Sequence, residues 1–377
     1  MKRIRMLLTA VLCGLALCAC TQGQSETAVG EDFRKMEKTG SMELSYATQF
    51  SVDEYENYRM VHIEKSGDYL IVPEGQGVPT HLPKDTVVLK KPLDKTYLVA
   101  TAAMDPVAKI DALSSIRLTG TKAKDWEIPE AKEAMEKKKL LFAGKYSQPD
   151  YELILSEGCN LALENTMIFH NPSTKEKLEE LGIPVLVECS SYEEHPLGRM
   201  EWMKLYGLLF DREKEATAFF DKEVKKLDPI LEKEKSGKSV AFFYITTDGT
   251  VNVRKPGDYI SRMIEMAGGE YCIKNIPGME ENALSTAGMQ MEDFYAAAKD
   301  ADVLIYNSTI VGELSQMKDL IQKNKLFADF KAVKDGQVFC TNQNFYQETT
   351  GTCSFIEDLH AVFQGNSKDM KFLKPLQ

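Results

Sequence analysis

Apolar residues recur at helical spacing through the middle of the chain. The apolar positions are Met203, Tyr206, Phe210, Ala216, Phe219, Phe220, Val224 and Leu227, with Glu, Lys and Asp between them. This pattern predicts two consecutive helices, over about 198–210 and 211–234. Asp211 is expected to cap the second helix, and Pro229 to bend it or end its regular part because proline lacks the amide donor. We interpret residues 198–236 as a helical spine.

Short apolar strands alternate with amphipathic helices on both sides of this spine. Before it, strands are predicted over 97–101, 161–163 and 183–187, and helices over 104–113, 149–157 and 174–181. After it, strands are predicted over 239–245, 303–307 and 338–340, and helices over 259–267, 291–298, 314–324 and 354–363. Such alternation is typical of parallel sheets covered by helices. We therefore predict an α/β protein with two Rossmann-like lobes, 41–197 and 237–377, mainly parallel sheets and a cleft between the lobes. The pieces 58–63, 68–72 and 86–89 are predicted to open the first lobe as a small antiparallel sheet.

A short repeat relates the two lobes. The stretches YELILSEGCNLALENTMI and MEDFYAAAKDADVLIYNSTI each contain Glu, a helix, a strand, and then Asn followed by a hydroxyl residue. The paired positions are Glu152 with Asn165 and Glu292 with Asn307. Each glutamate falls in the first turn of a predicted helix, where the helix dipole stabilises a carboxylate by about 0.3–1 kcal/mol. The residues alone leave a purely structural role for both glutamates open.

The amino-terminal segment has the form of an export signal. A basic start, an apolar run too short to span a membrane and small residues precede Cys20. The stretch from Leu17 to Cys20 resembles the lipobox of bacterial lipoproteins, which implies a signal peptide over 1–19 and a lipid on Cys20. A soluble, cleaved product is the alternative. The polar stretch from 21 to 40 is predicted to be a flexible tether, so that the membrane is contacted through the lipid only.

The net charge and the cysteine content limit the kinds of partner and metal site that we expect. The formal net charge of −11 argues against nucleic acid and against peripheral binding to anionic lipid. Five cysteines lie beyond Cys20, an odd number, widely spaced and without a CxxC pair, which argues against a complete disulfide framework or a zinc site. Cys159 and Cys189 adjoin apolar segments and are interpreted as buried free thiols.

Ligands of open α/β sheets sit at the carboxyl ends of the strands, and this rule selects the candidate binding residues. The loops there supply Met104, Phe169, His170, Tyr192, His195, Arg199, Arg254 and Tyr346. Arg199 and Arg254 are candidates to bind a carboxylate or phenolate, although each could instead be a solvated or ion-paired charge. His170 and His195 could ligate a metal in a bound chelate, although exposed loop histidines usually do not.

Several stretches together resemble one protein family. The lipobox, the two-lobe plan, PDYELIL, RKPGDYISRMIEMAGGEY and GIPVLVECSSYEEHPLGRMEWMKLYG resemble substrate-binding lipoproteins of ABC importers. The closest group is the helix-spined class that binds ferric siderophores, haem and cobalamin. The resemblance implies a monomer without a resident cofactor that clamps a small-molecule chelate in its cleft. It also implies delivery to an ABC permease with its ATPase, against which Glu152 and Glu292 would dock.

Three other functions stay open at this point. A receptor for a bare metal ion would need several histidines, and the chain has only His62, His81, His170, His195 and His360. An enzyme is not expected, because the HExxH, GxSxG and GxxxxGK[ST] motifs do not occur. A lipid-anchored accessory protein without a small-molecule ligand is the third.

Overall fold

The computed structural model describes residues 30–276 and 285–377. The predicted signal peptide and Cys20 lie outside the described residues. Within these ranges, no helix combines the length and the apolar character needed to cross a bilayer.

The described chain begins with a five-stranded sheet. Its strands are β1 (Gly40–Ser41), β2 (Phe50–Tyr55), β3 (Tyr58–Ile63), β4 (Gly67–Val72) and β5 (Val87–Lys90), in that order across the sheet. The first four pair antiparallel, which confirms the prediction for β3 and β4. The prediction was wrong for the piece 86–89, because β5 runs parallel to β4. Strand β2 was not predicted, although its burial alternates from Phe50 to Val52 as in a half-buried strand.

Part of the predicted tether is folded onto this sheet. The amide of Gly30 donates to the carbonyl of Val78 at 3.1 Å, and that of Phe33 to the carbonyl of Thr80 at 2.9 Å. Phe33 and Met36 pack against a small apolar cluster on the outer face of the sheet. Residues 30–36 are therefore bound to the sheet, because two apolar side chains in this otherwise polar stretch find a surface to cover.

The first lobe is built around a fully parallel sheet. Its elements are β6 (Thr96–Leu98), α1 (Thr101–Lys109), β7 (Ile116–Thr119), α2 (Pro129–Glu136), β8 (Leu141–Phe142), β9 (Gly144–Lys145), β10 (Gln148–Pro149), α3 (Tyr151–Ser156), β11 (Leu161–Asn165), α4 (Pro172–Glu180) and β12 (Val185–Glu188). The strand order is β12-β11-β6-β7-β8, and β9 pairs with β10 separately. Every pair in the five-stranded sheet is parallel, which confirms the predicted sheet type.

The spine consists of consecutive helices, as predicted, but it is divided into four. They are α5 (Pro196–Glu201), α6 (Met203–Leu209), α7 (Glu213–Lys225) and α8 (Asp228–Leu231). The prediction that Asp211 caps a helix was wrong, since Asp211 has a φ of 57° between α6 and α7 and its carboxylate pairs with Lys91. Pro229 lies in the first turn of α8, where its missing amide costs no helical hydrogen bond.

The second lobe repeats the plan of the first. Its elements are β13 (Ser239–Ile245), β14 (Val251–Arg254), α9 (Tyr259–Met266), β15 (Glu270–Tyr271), β16 (Thr286–Met289), α10 (Met291–Ala298), β17 (Val303–Tyr306), α11 (Ser308–Val311), α12 (Met317–Lys323), α13 (Lys331–Lys334), β18 (Val338–Thr341), α14 (Thr352–Phe363) and β19 (Leu373–Pro375). The strand order is β16-β14-β13-β17-β18-β19, and β15 also pairs with β13. Strands β13, β17 and β18 are parallel, whereas β14, β16 and β19 are antiparallel at the edges.

One continuous apolar core runs through both lobes and the spine. Every residue of α6 is buried, including Lys204, whose ammonium group donates to Glu201 at 2.8 Å. This part of the spine is therefore enclosed, whereas α7 buries only Ala216, Phe220 and Glu223, as expected for an amphipathic helix.

Candidate functional site

The carboxyl edges of the two sheets face each other. Helix α1 follows β6 in the first lobe, and the segment 347–350 follows β18 in the second. The hydroxyl of Thr349 donates to the carbonyl of Ala102 at 2.9 Å. The amide and hydroxyl of Thr350 donate to Asp105 Oδ2 at 2.8 and 2.6 Å. These contacts join the two lobes next to the carboxyl ends of β6 and β18. The cleft between the lobes therefore lies at the strand ends from which the candidate binding residues were selected.

The base of this cleft is closely packed. Arg199 lies there with its guanidinium carbon 4.0 Å from the centroid of the Tyr259 ring, a cation–π contact between the spine and the second lobe. The cavity beside them has a volume of about 30 Å³ and is also lined by Met263, Tyr346 and Glu348. Sites for organic ligands usually measure about 300–1,000 Å³. A chelate therefore needs the more open part of the cleft or a movement of these side chains.

Arg254 belongs to a buried network in the second lobe. Its guanidinium donates to the hydroxyl of Tyr346, and its Nη1 lies 3.3 Å from Asp258 Oδ2. The same Tyr346 hydroxyl accepts a hydrogen bond of 2.8 Å from the Asn307 side chain. Burial raises the pKa of the Tyr346 phenol, and Arg254 opposes that rise. With its side chain only 11% exposed, Arg254 is neither a solvated loop charge nor a free anion-binding group.

Exposed apolar side chains mark the outer part of the cleft edges. Met167 and Phe169 follow β11, and Ile310 follows β17. We call these three residues the apolar rim; their exposed fractions are 46%, 38% and 53%. Large hydrophobic residues exposed at a ligand-binding edge are typical of a surface that an apolar partner covers. Exposed His170 adjoins the rim at the end of the 3-10 helix Thr166–His170.

Sequence reasoning selected Phe169 but missed Met167 and Ile310. The repeat contained part of the signal, because each residue lies shortly after the asparagine of its copy, Met167 two positions after Asn165 and Ile310 three positions after Asn307. Asn165 accepts a hydrogen bond from the amide of Met167 at 2.9 Å, and Asn307 accepts one from the amide of Thr309 at 3.2 Å. Each asparagine thus caps the turn that presents an apolar side chain.

Three predicted binding residues lie elsewhere. Residues 101–104, expected to form a loop between a strand and a helix, are the first turn of α1. Met104 is completely buried in the core, so the structure does not bring this side chain to the cleft. His195 stacks on Tyr46 behind the spine, with ring centroids 4.8 Å apart. Half-buried Tyr192 lies under Lys65 of the amino-terminal sheet, with the ammonium nitrogen 4.6 Å from the ring centroid.

Glu152 and Glu292 occupy equivalent positions in the two lobes. Each is exposed in the first turn of a helix, α3 or α10, that leads into a parallel strand. Such a helix runs antiparallel to its strand, so its first turn lies level with the carboxyl edge of the sheet. The two carboxylates therefore flank the cleft on the same side of their sheets. In residues 30–276 and 285–377, neither makes a hydrogen bond or an ion pair with another side chain.

Potential metal ligands are scattered. His62 lies 2.8 Å from Asp68, His81 lies 3.3 Å from Asp32, and His360 is buried against the carbonyl of Ala267. Among the described residues, no group of three or more His, Cys, Asp or Glu side chains is arranged to hold a metal ion. All five cysteines beyond Cys20 are free, and three of them, Cys189, Cys340 and Cys353, are buried.

Comparison with known proteins agrees with this two-lobe architecture. The family model described as periplasmic binding protein matches residues 99–344. The chain belongs to this family. The family consists of binding proteins and not of enzymes, and its members act outside the cytoplasm.

Two relatives of this binding protein come from Methanocaldococcus jannaschii. One, an uncharacterised lipoprotein, is 25% identical over 372 residues, which cover 93% of this chain and 90% of the relative. Another uncharacterised lipoprotein is 28% identical over 234 residues, 60% of this chain, and this chain spans only 53% of that relative.

Solved structures share the fold. A periplasmic haem-binding protein of Vibrio cholerae has a TM-score of 0.58 at 13% identity, with 71% of this chain and 98% of that one covered. A protein of an Fe³⁺-hydroxamate transport system from Saccharomonospora viridis gives 0.55 at 20% identity, with 72% and 93% covered. A periplasmic vitamin B12-binding protein of Vibrio cholerae gives 0.52 at 14% identity, with 73% and 98% covered. At these identities the likeness establishes the two-lobe, helix-spined fold.

Proposed function

We propose that this binding protein is a lipid-anchored receptor of an ABC importer that captures an iron chelate, haem or a cobalamin-like corrinoid. It hands this ligand to a membrane permease driven by an ATPase. The family supports a binding role outside the cytoplasm. The fold relatives include proteins that bind haem and vitamin B12 and a protein of Fe³⁺-hydroxamate transport, and they suggest the ligand class.

The apolar rim is the observation that carries the proposal. Met167 and Phe169 on one lobe and Ile310 on the other are left partly uncovered at the cleft edges. A large organic ligand with an apolar surface would remove them from water, with a gain of about 25 cal/mol for each Å² buried. A bare ion offers no such surface.

A thermal-shift experiment tests the ligand class. The soluble protein without its lipid is heated with haem, cobalamin or several ferric siderophores. One of these compounds is expected to raise the melting temperature, because binding at 100 times Kd adds about 2.7 kcal/mol to the stability of the native state. No shift with any compound would contradict the proposal and favour an accessory role, and a shift with metal salts alone would favour a bare-ion receptor.

Substitutions in the rim locate the binding site. Met167→Ser and Ile310→Ser are each expected to weaken binding of the active compound by about 1–2 kcal/mol, the scale of one buried apolar side chain. Leu155→Ser is the matched control, since Leu155 is 47% exposed on α3 outside the rim. An unchanged Kd in both rim variants would exclude the rim as the contact surface.

Glu152 and Glu292 are proposed to dock the receptor on basic residues of the permease. Charge reversal by Glu152→Lys and Glu292→Lys is expected to abolish uptake and leave the Kd of the ligand unchanged, because charged pairs at an interface fix its register. Glu176→Lys on α4 is the control, since Glu176 is exposed and lies away from both first turns. A loss of ligand affinity parallel to the loss of uptake would place these glutamates in the pocket instead.

A further inference from the structure

A second cavity, separate from the one at the cleft base, lies beside the spine. It has a volume of about 410 Å³ and is formed by the amino-terminal segment, the two ends of the spine and helix α9. We call it the spine groove and define it by Tyr46, His195, Leu231, Lys233, Lys235 and Arg262. Its volume falls in the usual range for small-molecule sites, about 300–1,000 Å³. The cavity at the cleft base is far smaller, at about 30 Å³.

One side of the spine groove is aromatic and apolar. The rings of Tyr46 and His195 stack at an interplanar angle of 24°, and Leu231 is 53% exposed beside them. The amide of Leu197 donates to His195 Nδ1 at 3.2 Å, which leaves the ring proton on Nε2. Burial and the charge of Arg262 lower the pKa of His195, and they outweigh the opposite effect of Glu193 and Glu201. At neutral pH the imidazole is therefore an uncharged flat surface with one N–H donor.

The spine groove is also lined by positively charged side chains. Lys233, Lys235 and Arg262 line it with a single acid, Glu265, which lies 3.8 Å from Arg262. Lys233 Nζ lies 3.4 Å from His360 Nε2, and within the described ranges Lys235 has no ion-pair partner. The net charge of these lining side chains is positive, whereas the formal net charge of the whole chain is −11. A local field of this kind attracts anions.

We propose that the spine groove is a second binding site, for a small organic anion with a flat apolar body, such as an aromatic carboxylate. The body would lie against Tyr46, His195 and Leu231, and the carboxylate would face Lys235 and Arg262. This site goes beyond the proposed function and does not depend on it, because none of its residues lies on the apolar rim.

Occupation of the groove would act on the same two helices that form the cleft base. Helix α9 carries Arg262 in the groove and Tyr259 at the cleft base, and α5 is preceded by His195 and contains Arg199. The Arg199–Tyr259 contact joins these helices. Binding of an anion in the groove would therefore affect the Arg199–Tyr259 contact, which joins the spine to the second lobe.

Calorimetric titration of the soluble protein with 2-naphthoate tests the site. Saturable binding with one equivalent is expected, and Lys235→Gln and Arg262→Gln should each raise its Kd about tenfold, the scale of one charged hydrogen bond. Lys222→Gln is the control, because Lys222 is exposed on α7 outside the groove. The His195 ring resonances should shift on binding, which a distant site would not produce.

Four results would overturn the proposal. The first is the absence of saturable binding, and the second is equal affinity for the neutral 2-naphthamide, which would make the groove merely apolar. The third is a loss of affinity in Lys222→Gln as large as in Arg262→Gln. The fourth is binding to phosphatidylglycerol vesicles that is tighter than binding to 2-naphthoate and that is lost in Lys235→Gln and Arg262→Gln. This result would show that the groove recognises anionic lipid headgroups and not a small organic anion.

Discussion

Glu164 has surroundings that are unusual for a carboxylate. It lies in β11 with none of its surface exposed, and neither carboxylate oxygen has a hydrogen-bond partner within residues 30–276 and 285–377. Burial raises its pKa to about 8, because an unpaired charge loses its hydration there. Glu164 is therefore mainly protonated at neutral pH in the folded protein.

The stability of the protein should accordingly depend on pH through Glu164. The folded state keeps its proton up to about pH 8, whereas the unfolded state releases it near the ordinary value of 4.5. The unfolded state thus binds fewer protons in this window, and the free energy of unfolding falls as the pH rises from about 4.5 to 8. Glu164→Gln should flatten this decline in urea titrations at several pH values, and Glu176→Gln should leave it intact. The same slope in Glu164→Gln as in the natural protein would refute the assignment.

Tyr346, at the end of the 3-10 helix Gln343–Tyr346, contributes to stability through its hydroxyl group. Its hydroxyl accepts hydrogen bonds from both Arg254 and Asn307. Tyr346→Phe leaves both donors without this acceptor, so we expect a loss of about 1–3 kcal/mol in the free energy of unfolding. Chemical denaturation measures it, with Tyr295→Phe, a half-buried tyrosine on α10, as the control. Equal stability of the two variants would show that the network contributes nothing.

At the scale of elements, a buried glutamate of the spine holds the amino-terminal sheet. Glu201 accepts hydrogen bonds from the amides of Ser45, Tyr46 and Ala47 at 2.7–2.9 Å and from Lys204 at 2.8 Å. Burial favours its neutral form, but Lys204 and these amides outweigh burial and lower the pKa. One carboxylate therefore replaces the backbone partners that the segment before β2 lacks.

A second glutamate, Glu193, binds the next residues of the same segment. Glu193 accepts from the amides of Thr48 and Gln49 at 2.9 Å and from the indole of Trp202 at 2.9 Å. Together the two carboxylates bind residues 45–49, and with them the sheet β1–β5, to the start of the spine. The family match covers residues 99–344, so the two glutamates lie inside the matched range and residues 45–49 lie outside it.

Glu201→Gln should loosen this attachment. The neutral amide keeps one acceptor oxygen for at least four donors, so we expect a loss of about 2–4 kcal/mol at pH 7. Because the pKa of Glu201 is lowered on folding, the natural protein should lose this stabilisation as the pH falls below about 4.5. Chemical denaturation at both pH values measures the effect, and exposed Glu194→Gln is the control. A loss of less than about 0.5 kcal/mol would contradict the predicted attachment.

Helix α1 contributes a second connection between elements. Pro106 lies inside it and has no amide to donate to the carbonyl of Ala102 four residues earlier. The hydroxyl of Thr349, from the other lobe, donates to that carbonyl at 2.9 Å. A proline that ordinarily weakens a helix thus creates an acceptor that joins the two lobes.

At the scale of the whole molecule, these bonds restrict how far the lobes separate. Besides Thr349 and Thr350, the Gln347 side chain donates to the carbonyl of Asp125 at 2.8 Å and accepts from the amide of Glu127 at 2.7 Å. The spine adds a buried helix between the lobes. We therefore expect only a small closure on ligand binding, with a change of about 1 Å or less in the radius of gyration by small-angle scattering. Large compaction would contradict this expectation.

Weakening of the interlobe bonds should make the lobes more mobile. Thr349→Val leaves the carbonyl of Ala102 unsatisfied and is expected to cost about 1–3 kcal/mol and to speed hydrogen exchange in α1. Thr247→Val is the control, since Thr247 is exposed in the turn after β13. Unchanged exchange in α1 would indicate that the spine alone sets the lobe arrangement.

The sequence by itself determined the α/β class, the two lobes and the spine between them. Hydrophobic periodicity carries this information, because helices and strands bury apolar side chains at different spacings. The repeat around Asn165 and Asn307 also predicted equivalent elements correctly, since the asparagine caps are local interactions. Boundaries were less accurate: α1 begins earlier than predicted, because its buried contacts outweigh the signal from Pro106.

Only the tertiary structure decided which candidate residues meet. Arg254 was selected as a loop charge, but its partner Tyr346 lies 92 positions away in the sequence. Asn307, which donates to the same Tyr346 hydroxyl, comes from another strand end, so this network depends on how the strands are ordered in the sheet. His195 was expected in the cleft and lies in the spine groove because Tyr46, from the segment between β1 and β2, packs on its ring. Local patterns specify elements, whereas sites arise from contacts between residues distant in the chain, and those contacts are fixed only when the elements pack.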